Sequence, residues 1–164
     1  MTSLASNTDD LKWMRLALSL AQNAASLGEV PVGAVIVADG KLLATGFNLR
    51  EILKKSTGHA ELLAIEEACR ILSSWRLATC SLYVSLEPCL MCAGAIYQSR
   101  IQKVYFGAYD PKGGALGSLY QLHQDKRLNH RYQVLGGLLE AECSTLLSSF
   151  FAKKRLQNKG HVYP

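Results

Sequence analysis

Apolar positions along this chain recur in two rhythms, one of helices and one of short strands, and the two take turns. Trp13, Leu16, Ala17, Leu20, Ala21 and Ala24 lie on one helical face. They predict a first helix capped at Thr8 or Asp9 and stopped near Leu27 and Gly28. Residues 32–37 are continuously apolar, as suits a strand covered on both sides. Asp39-Gly40 is a hairpin signal, so residues 41–47 are expected to pair back antiparallel. Residues 48–58 are polar and predict a loop. Ser56 or Thr57 is expected to cap a helix that runs through His59 to about Leu72, with Leu62, Ile65, Cys69 and Leu72 facing inward.

Leu82-Tyr83-Val84-Ser85 predicts a third strand. Pro88 suits the first turn of a helix, where its missing N–H costs nothing, and residues 89–97 continue that helix. Residues 103–107 and 132–135 predict two more strands. The connection between them, residues 108–131, is rich in glycine and polar groups and longer than most loops, which marks it as functional. Residues 140–155 predict a last helix with Leu139, Cys143, Leu146, Leu147 and Phe150 inward. Residues 157–164 are expected to form a loose tail. Strands alternating with helices imply an α/β fold, a three-layer α/β/α sandwich around a mixed five-stranded sheet. No repeat or linker interrupts residues 1–164, so one domain is expected.

Composition narrows the picture. Of 164 residues, 49% are apolar and 19% charged, which is globular rather than disordered. No apolar run reaches transmembrane length, and the first ten residues lack the basic and apolar regions of a secretory signal. A cytoplasmic protein without membrane partners is expected. Of the five cysteines, Cys69, Cys80 and Cys143 fall in apolar periodic segments and are expected as buried free thiols. The formal charge of +5 is compatible with a nucleic-acid partner.

The chemistry concentrates in His59-Ala60-Glu61 and Pro88-Cys89-Leu90-Met91-Cys92. One imidazole and two thiolates are good zinc ligands, and three protein ligands leave a tetrahedral ion one open position for water. Cys89 and Cys92 lie one helical turn apart, so both sulfurs can reach one ion. Glu61, two residues from His59, stays off the metal and can carry protons. A structural zinc site would want a fourth ligand, and none lies at finger or ribbon spacing. A redox dithiol would leave His59 and Glu61 unexplained.

These motifs resemble those of the cytidine deaminase superfamily and, more narrowly, of the bacterial tRNA-specific adenosine deaminases. Residues 28–35 (GEVPVGAV), 82–95 (LYVSLEPCLMCAGA), 107–118 (GAYDPKGGALGS) and 128–131 (LNHR) carry the narrower resemblance, with Cys143, Phe150, Phe151 and Arg155 in the last helix. The resemblance implies a cytidine deaminase-like fold and one Zn2+ per subunit held by His59, Cys89 and Cys92. It implies Glu61 as proton carrier, a homodimer, and conversion of adenosine to inosine at the wobble position of the tRNA anticodon arm. It also implies that Val30 walls the base pocket, Asn48 meets the purine's imidazole edge and the Ala60 amide touches the ring. Asp110, Lys112, Asn129 and Arg155 are implied to contact flanking nucleotides. The face of Ala93, Gly94 and Ala95 would admit a partner subunit. The chain departs from the family at residues 55–58, Lys-Ser-Thr-Gly in place of the usual Asp-Pro-Thr-Ala, and at Phe47, where Trp or Tyr is frequent. A free-base or nucleotide deaminase with the same zinc chemistry is the rival reading; a non-catalytic zinc-dependent RNA-binding subunit is another, disfavoured by Glu61.

Overall fold

Strand β1 (Gly33–Ala38) divides the molecule, because its alternate side chains serve two separate cores. The computed structural model describes residues 7–159. Before β1 comes α1 (Thr8–Ser26), and after it β2 (Lys41–Phe47), a one-turn helix α2 (Arg50–Leu53) and α3 (Ala60–Leu72). Then follow β3 (Cys80–Leu86), α4 (Leu90–Gln98), β4 (Lys103–Ala108), a 3-10 turn (Leu122–Gln124), β5 (Gln133–Leu135) and α5 (Glu140–Lys159). The strands lie in the order β2-β1-β3-β4-β5. β1 is antiparallel to β2 and β3, while β3, β4 and β5 run parallel.

Val35, Val37, Tyr83 and Tyr105 pack with Trp13, Met14 and Ala17 of α1 and Cys143 of α5. On the other face, Ala34, Ile36, Leu82, Val84 and Phe106 pack with α3 and α4. This is the expected α/β/α sandwich on a mixed sheet. Because β2 and β3 are both antiparallel to β1, their C-terminal ends lie at the same end of the sheet, so the chain leaves β3 for α4 beside the entrance to α3. That juxtaposition assembles the site.

Several local expectations are corrected. The first helix is capped by Asn7 rather than Thr8 or Asp9. Asn7 Oδ1 accepts from the Asp10 amide at 2.9 Å and the Asp10 carboxylate accepts from the Asn7 amide at 2.8 Å, a reciprocal box. Asp10 is buried because its other oxygen accepts from Tyr83 Oη at 2.6 Å. The last helix extends to Lys159, so the expected tail is helical over 157–159, with residues 160–164 outside the described region. Cys80 and Cys143 are buried as expected, and Cys69 is half-buried.

The inner face of α3 is also different. It is made of Ala60, Glu61, Ala64, Ile65 and Ala68, whereas Leu72 is 42% exposed. Small residues win here because α3 lies almost on the backbone of β2. A Cβ built on Gly46 would collide with the Ala60 carbonyl oxygen and stand 2.8 Å from the Ala64 amide nitrogen. Gly46→Val is therefore expected to lower stability by about 1–3 kcal/mol, as overpacking does. It should also displace the first turn of α3, and with it His59 and Glu61. Thermal denaturation and the rate of metal loss to a chelator check this; an unchanged melting curve would refute the close apposition.

Candidate active site

Both halves of the motif stand at helix entrances rather than inside first turns: neither Ser56 nor Thr57 caps α3, and Pro88 precedes α4 instead of standing in its first turn. His59 is the N-cap of α3, with φ −82° and ψ 146°, and Cys89 is the N-cap of α4, with φ −74° and ψ 174°. Neither side chain caps its own helix. Extended backbone at these positions turns the imidazole and the Cys89 thiol away from the helix axes and toward each other. Cys92 follows inside the first turn of α4, fully buried.

The three side chains converge. His59 Nδ1 is 3.8 Å from Cys89 Sγ and 3.5 Å from Cys92 Sγ, and the three ligand atoms lie within 4.8 Å of one another. Zinc bonds of about 2.0 Å to nitrogen and 2.3 Å to sulfur, spread tetrahedrally, require N-to-S separations of about 3.5 Å. The donor set thus fits the metal in both chemistry and span. Hydrogen bonds from Cys92 and from His59 hold the Cys89 thiol down at about 4, against the burial that opposes ionisation. Cys92, which donates a hydrogen bond to Cys89 and is more deeply buried, is pushed up.

Glu61 is 4% exposed. Burial pushes its carboxyl up to about 7, aided by the neighbouring Cys89 and opposed by its own backbone hydrogen bond and by His59. It therefore sits where a group can both take and give a proton at neutral pH.

A cavity of about 240 Å³ opens onto this cluster. That is below the roughly 300–1,000 Å³ usual for drug-sized ligands and suits one inserted ring. Val30, Asn48, Ala60 and Asp110 line it with His59, Glu61 and Cys89, so four of the residues expected to touch substrate come together there. Asn48 is buried, its amide nitrogen donating to Val30 O at 3.2 Å and to Glu29 Oε2 at 3.4 Å. The remaining three lie elsewhere. Arg155 lines an adjacent groove with Gly28, Val30, Glu51, Phe150 and Lys154. Asn129 belongs to a separate cleft with Arg76, Arg100 and His130, its Oδ1 accepting from Tyr97 Oη at 2.6 Å and from Arg100 at 3.1 Å. Lys112 is exposed and lines none of these hollows.

Three residues gain roles that the sequence did not suggest. Glu87, 2% exposed, accepts from the amides of Asp110 (3.0 Å), Leu116 (3.0 Å) and Ser118 (2.9 Å) and from the Ser118 hydroxyl. One carboxylate thus folds the long 109–131 connection back over the cavity. Glu29, 1% exposed, accepts from the Ile52 amide at 2.7 Å and so builds α2 where a loop was expected. Both stand inside the stretches that carry the family resemblance, a signal that could have flagged them. Arg50, the first residue of α2, also lines the cavity.

Fold and site together define a deaminase: the chain belongs to the MafB19-like deaminase family, whose model matches residues 8–155. It is 50% identical over 152 residues to the tRNA-specific adenosine deaminase of Bacillus subtilis (strain 168), covering 93% of this chain and 94% of that one. Within the deaminases, it is thus a member of the tRNA-specific adenosine deaminase family. A solved structure from a study of A-to-I editing by tRNA:A34 deaminases at the wobble position of transfer RNA superimposes with a TM-score of 0.80 at 43% identity, over 83% of this chain and 99% of that one. A guanine deaminase from Nitrosomonas europaea shares the fold, with a TM-score of 0.77 at 24% identity, over 92% of this chain and 87% of that one.

Proposed function

We propose that this protein is a zinc-dependent hydrolase that converts adenosine to inosine at the wobble position of tRNA anticodons. The observation that carries the reading is the convergence of His59, Cys89 and Cys92 beside a buried Glu61 that is outside the ligand set, in a cavity the size of one base. His59, Cys89 and Cys92 would hold the zinc ion, which would supply a Lewis acid that brings the pKa of water toward neutrality. Glu61 accepts a proton from the attacking water as the C6–O bond forms and hands it to the ring nitrogen N1. It then carries the second proton to the amine, the C6–N bond breaks, and ammonia leaves. Val30, Asn48 and the Ala60 amide hold the ring, and Asp110 contacts a nucleotide flanking it.

The rival, a free-base deaminase, would use the same centre, but the guanine deaminase is 24% identical to this chain, against 50% for the tRNA-specific adenosine deaminase. The groove of Phe150, Phe151, Lys154 and Arg155 supports an RNA substrate, since aromatic faces stack unpaired bases and cations meet phosphates. Lys112 and Asn129, outside the cavity, are assigned to nucleotides farther along the anticodon arm. A cytoplasmic location belongs to the same reading, and the five unpaired cysteines support it, since thiols persist in a reducing compartment. No helix of the described residues is long and apolar enough to cross a membrane. A homodimer is supported by α4, which exposes Leu90 (48%) and Met91 (37%) and has open space at Gly94. Ala93, expected on that face, is buried in the core instead.

The test is direct. The protein is incubated with an arginine tRNA anticodon stem-loop, and inosine is sought by mass spectrometry; equal turnover of free adenine or guanine would favour the rival. Replacing Lys153 and Lys154 by alanine is expected to weaken RNA binding and to reduce the slope of log affinity against log salt by about 0.7 for each single-strand phosphate left without its cation. An unchanged slope in a filter-binding titration would return both lysines to the solvated end of α5.

A further inference from the structure

The cavity poses an electrostatic problem for a nucleic acid. Its lining residues include five acidic ones, Glu29, Glu51, Glu61, Glu87 and Asp110, and one lysine or arginine, Arg50. A polyanion delivering one base to this floor brings its own phosphates to the rim, where charge of the same sign opposes it. Arg50 stands at that rim, lining the cavity with 59% of its side chain exposed.

Its backbone is fixed while its side chain is not. The Ile52 amide of the same turn donates to the buried Glu29 carboxylate at 2.7 Å. The Leu49 amide donates to Gly58 O at 3.0 Å, and the Lys55 amide donates to Arg50 O at 3.2 Å. Gly58, one of the positions where the chain departs from its family, lies directly against this residue: a Cβ there would stand 3.0 Å from Arg50 Cα and 3.1 Å from Arg50 N. The departure at 55–58 and the arginine at 50 are thus one local arrangement. The ion pair of Arg50 runs from Nε to Glu51 at 4.0 Å, both side chains well exposed, and such a pair holds little. The two terminal guanidinium nitrogens present a planar fork of donors that matches two phosphate oxygens.

We propose that Arg50 is a phosphate clamp of the active site, binding the phosphodiester that flanks the base lodged in the cavity. The proposal rests on the reading of the substrate as RNA. It is tested with the full-length, zinc-loaded protein and an anticodon stem-loop in which the phosphate on the 5′ or the 3′ side of the target adenosine is replaced by a neutral methylphosphonate. Inosine formation and binding, by fluorescence anisotropy, are both measured. Arg50→Ala is expected to raise KM and Kd about tenfold, the usual size of one charge-assisted contact. In the unsubstituted protein, one of the two methylphosphonates is expected to cost about the same, and in Arg50→Ala that same substitution is expected to cost nothing further. Arg50→Lys should recover part of the loss. Equal methylphosphonate penalties in both proteins, at both positions, would overturn the clamp while leaving the deaminase reading intact. Absence of inosine from the unsubstituted protein would instead sink the deaminase reading, and the binding arm would still decide the contact.

Discussion

Replacing Glu61 with glutamine is expected to lower kcat on an anticodon stem-loop by about 100- to 10,000-fold, the usual worth of a positioned acid–base group, and to leave the bound zinc and the fold in place. The separation of the two effects is the point. Glu61 is outside the His59, Cys89 and Cys92 set, so the metal should remain. It is also nearly inaccessible, and its carboxyl is raised to about 7 first of all by burial. Glutamine keeps the shape, removes the titratable proton and carries no charge for burial to penalise. Metal content by mass spectrometry, thermal melting and single-turnover inosine formation read the three quantities apart. Full activity in the variant would remove Glu61 from proton transfer; loss of zinc with activity would mean that it helps to hold the ion.

Glu87→Ala is expected to cost about 3 kcal/mol of stability, at about 1–3 kcal/mol for each buried donor left without an acceptor. For a domain of this size that is a fall in Tm of about 6–12 °C. The amides of Asp110, Leu116 and Ser118 would all lose their partner. The connection that brings Asp110 to the cavity would loosen, so amide exchange should rise across residues 110–118 and activity should fall with it. The pH dependence carries the same signature. Burial pushes the Glu87 carboxyl up, but the hydrogen bonds from Ser118, Asp110 and Leu116 outweigh it and hold the group below its ordinary value. A depressed carboxyl stabilises the folded state above the unfolded value of about 4.3, and the stabilisation fades as pH falls through the lower folded value. The natural protein should therefore lose stability on acidification below about pH 4, and Glu87→Gln should show a flatter profile in that range. Matching acid profiles by denaturant titration would show that the carboxylate is not what ties the loop down.

The same carboxylate separates two kinds of information in the chain. Periodicity along the sequence determined the order of helices and strands, the hairpin at Asp39-Gly40 and the layered class, because each depends on neighbours a few residues apart. Residue chemistry at fixed spacing singled out His59, Cys89 and Cys92, which the structure brings together as a group able to hold a metal ion, because one imidazole and two thiolates are a donor set that suits an open tetrahedral centre. The tertiary structure alone decided where helices begin and what lies against them. His59 and Cys89 became caps because extended backbone turns their side chains to a common point. The apolar face of α3 became its alanines because β2 offers Gly46 at contact distance. The loop at 48–58 became a turn of helix because Glu29, 23 residues away, accepts the Ile52 amide. The residues expected to touch substrate divided among a cavity, a groove and a cleft for the same reason. Distances between residues far apart in the chain are set by packing and by buried hydrogen bonds, and no local pattern encodes them.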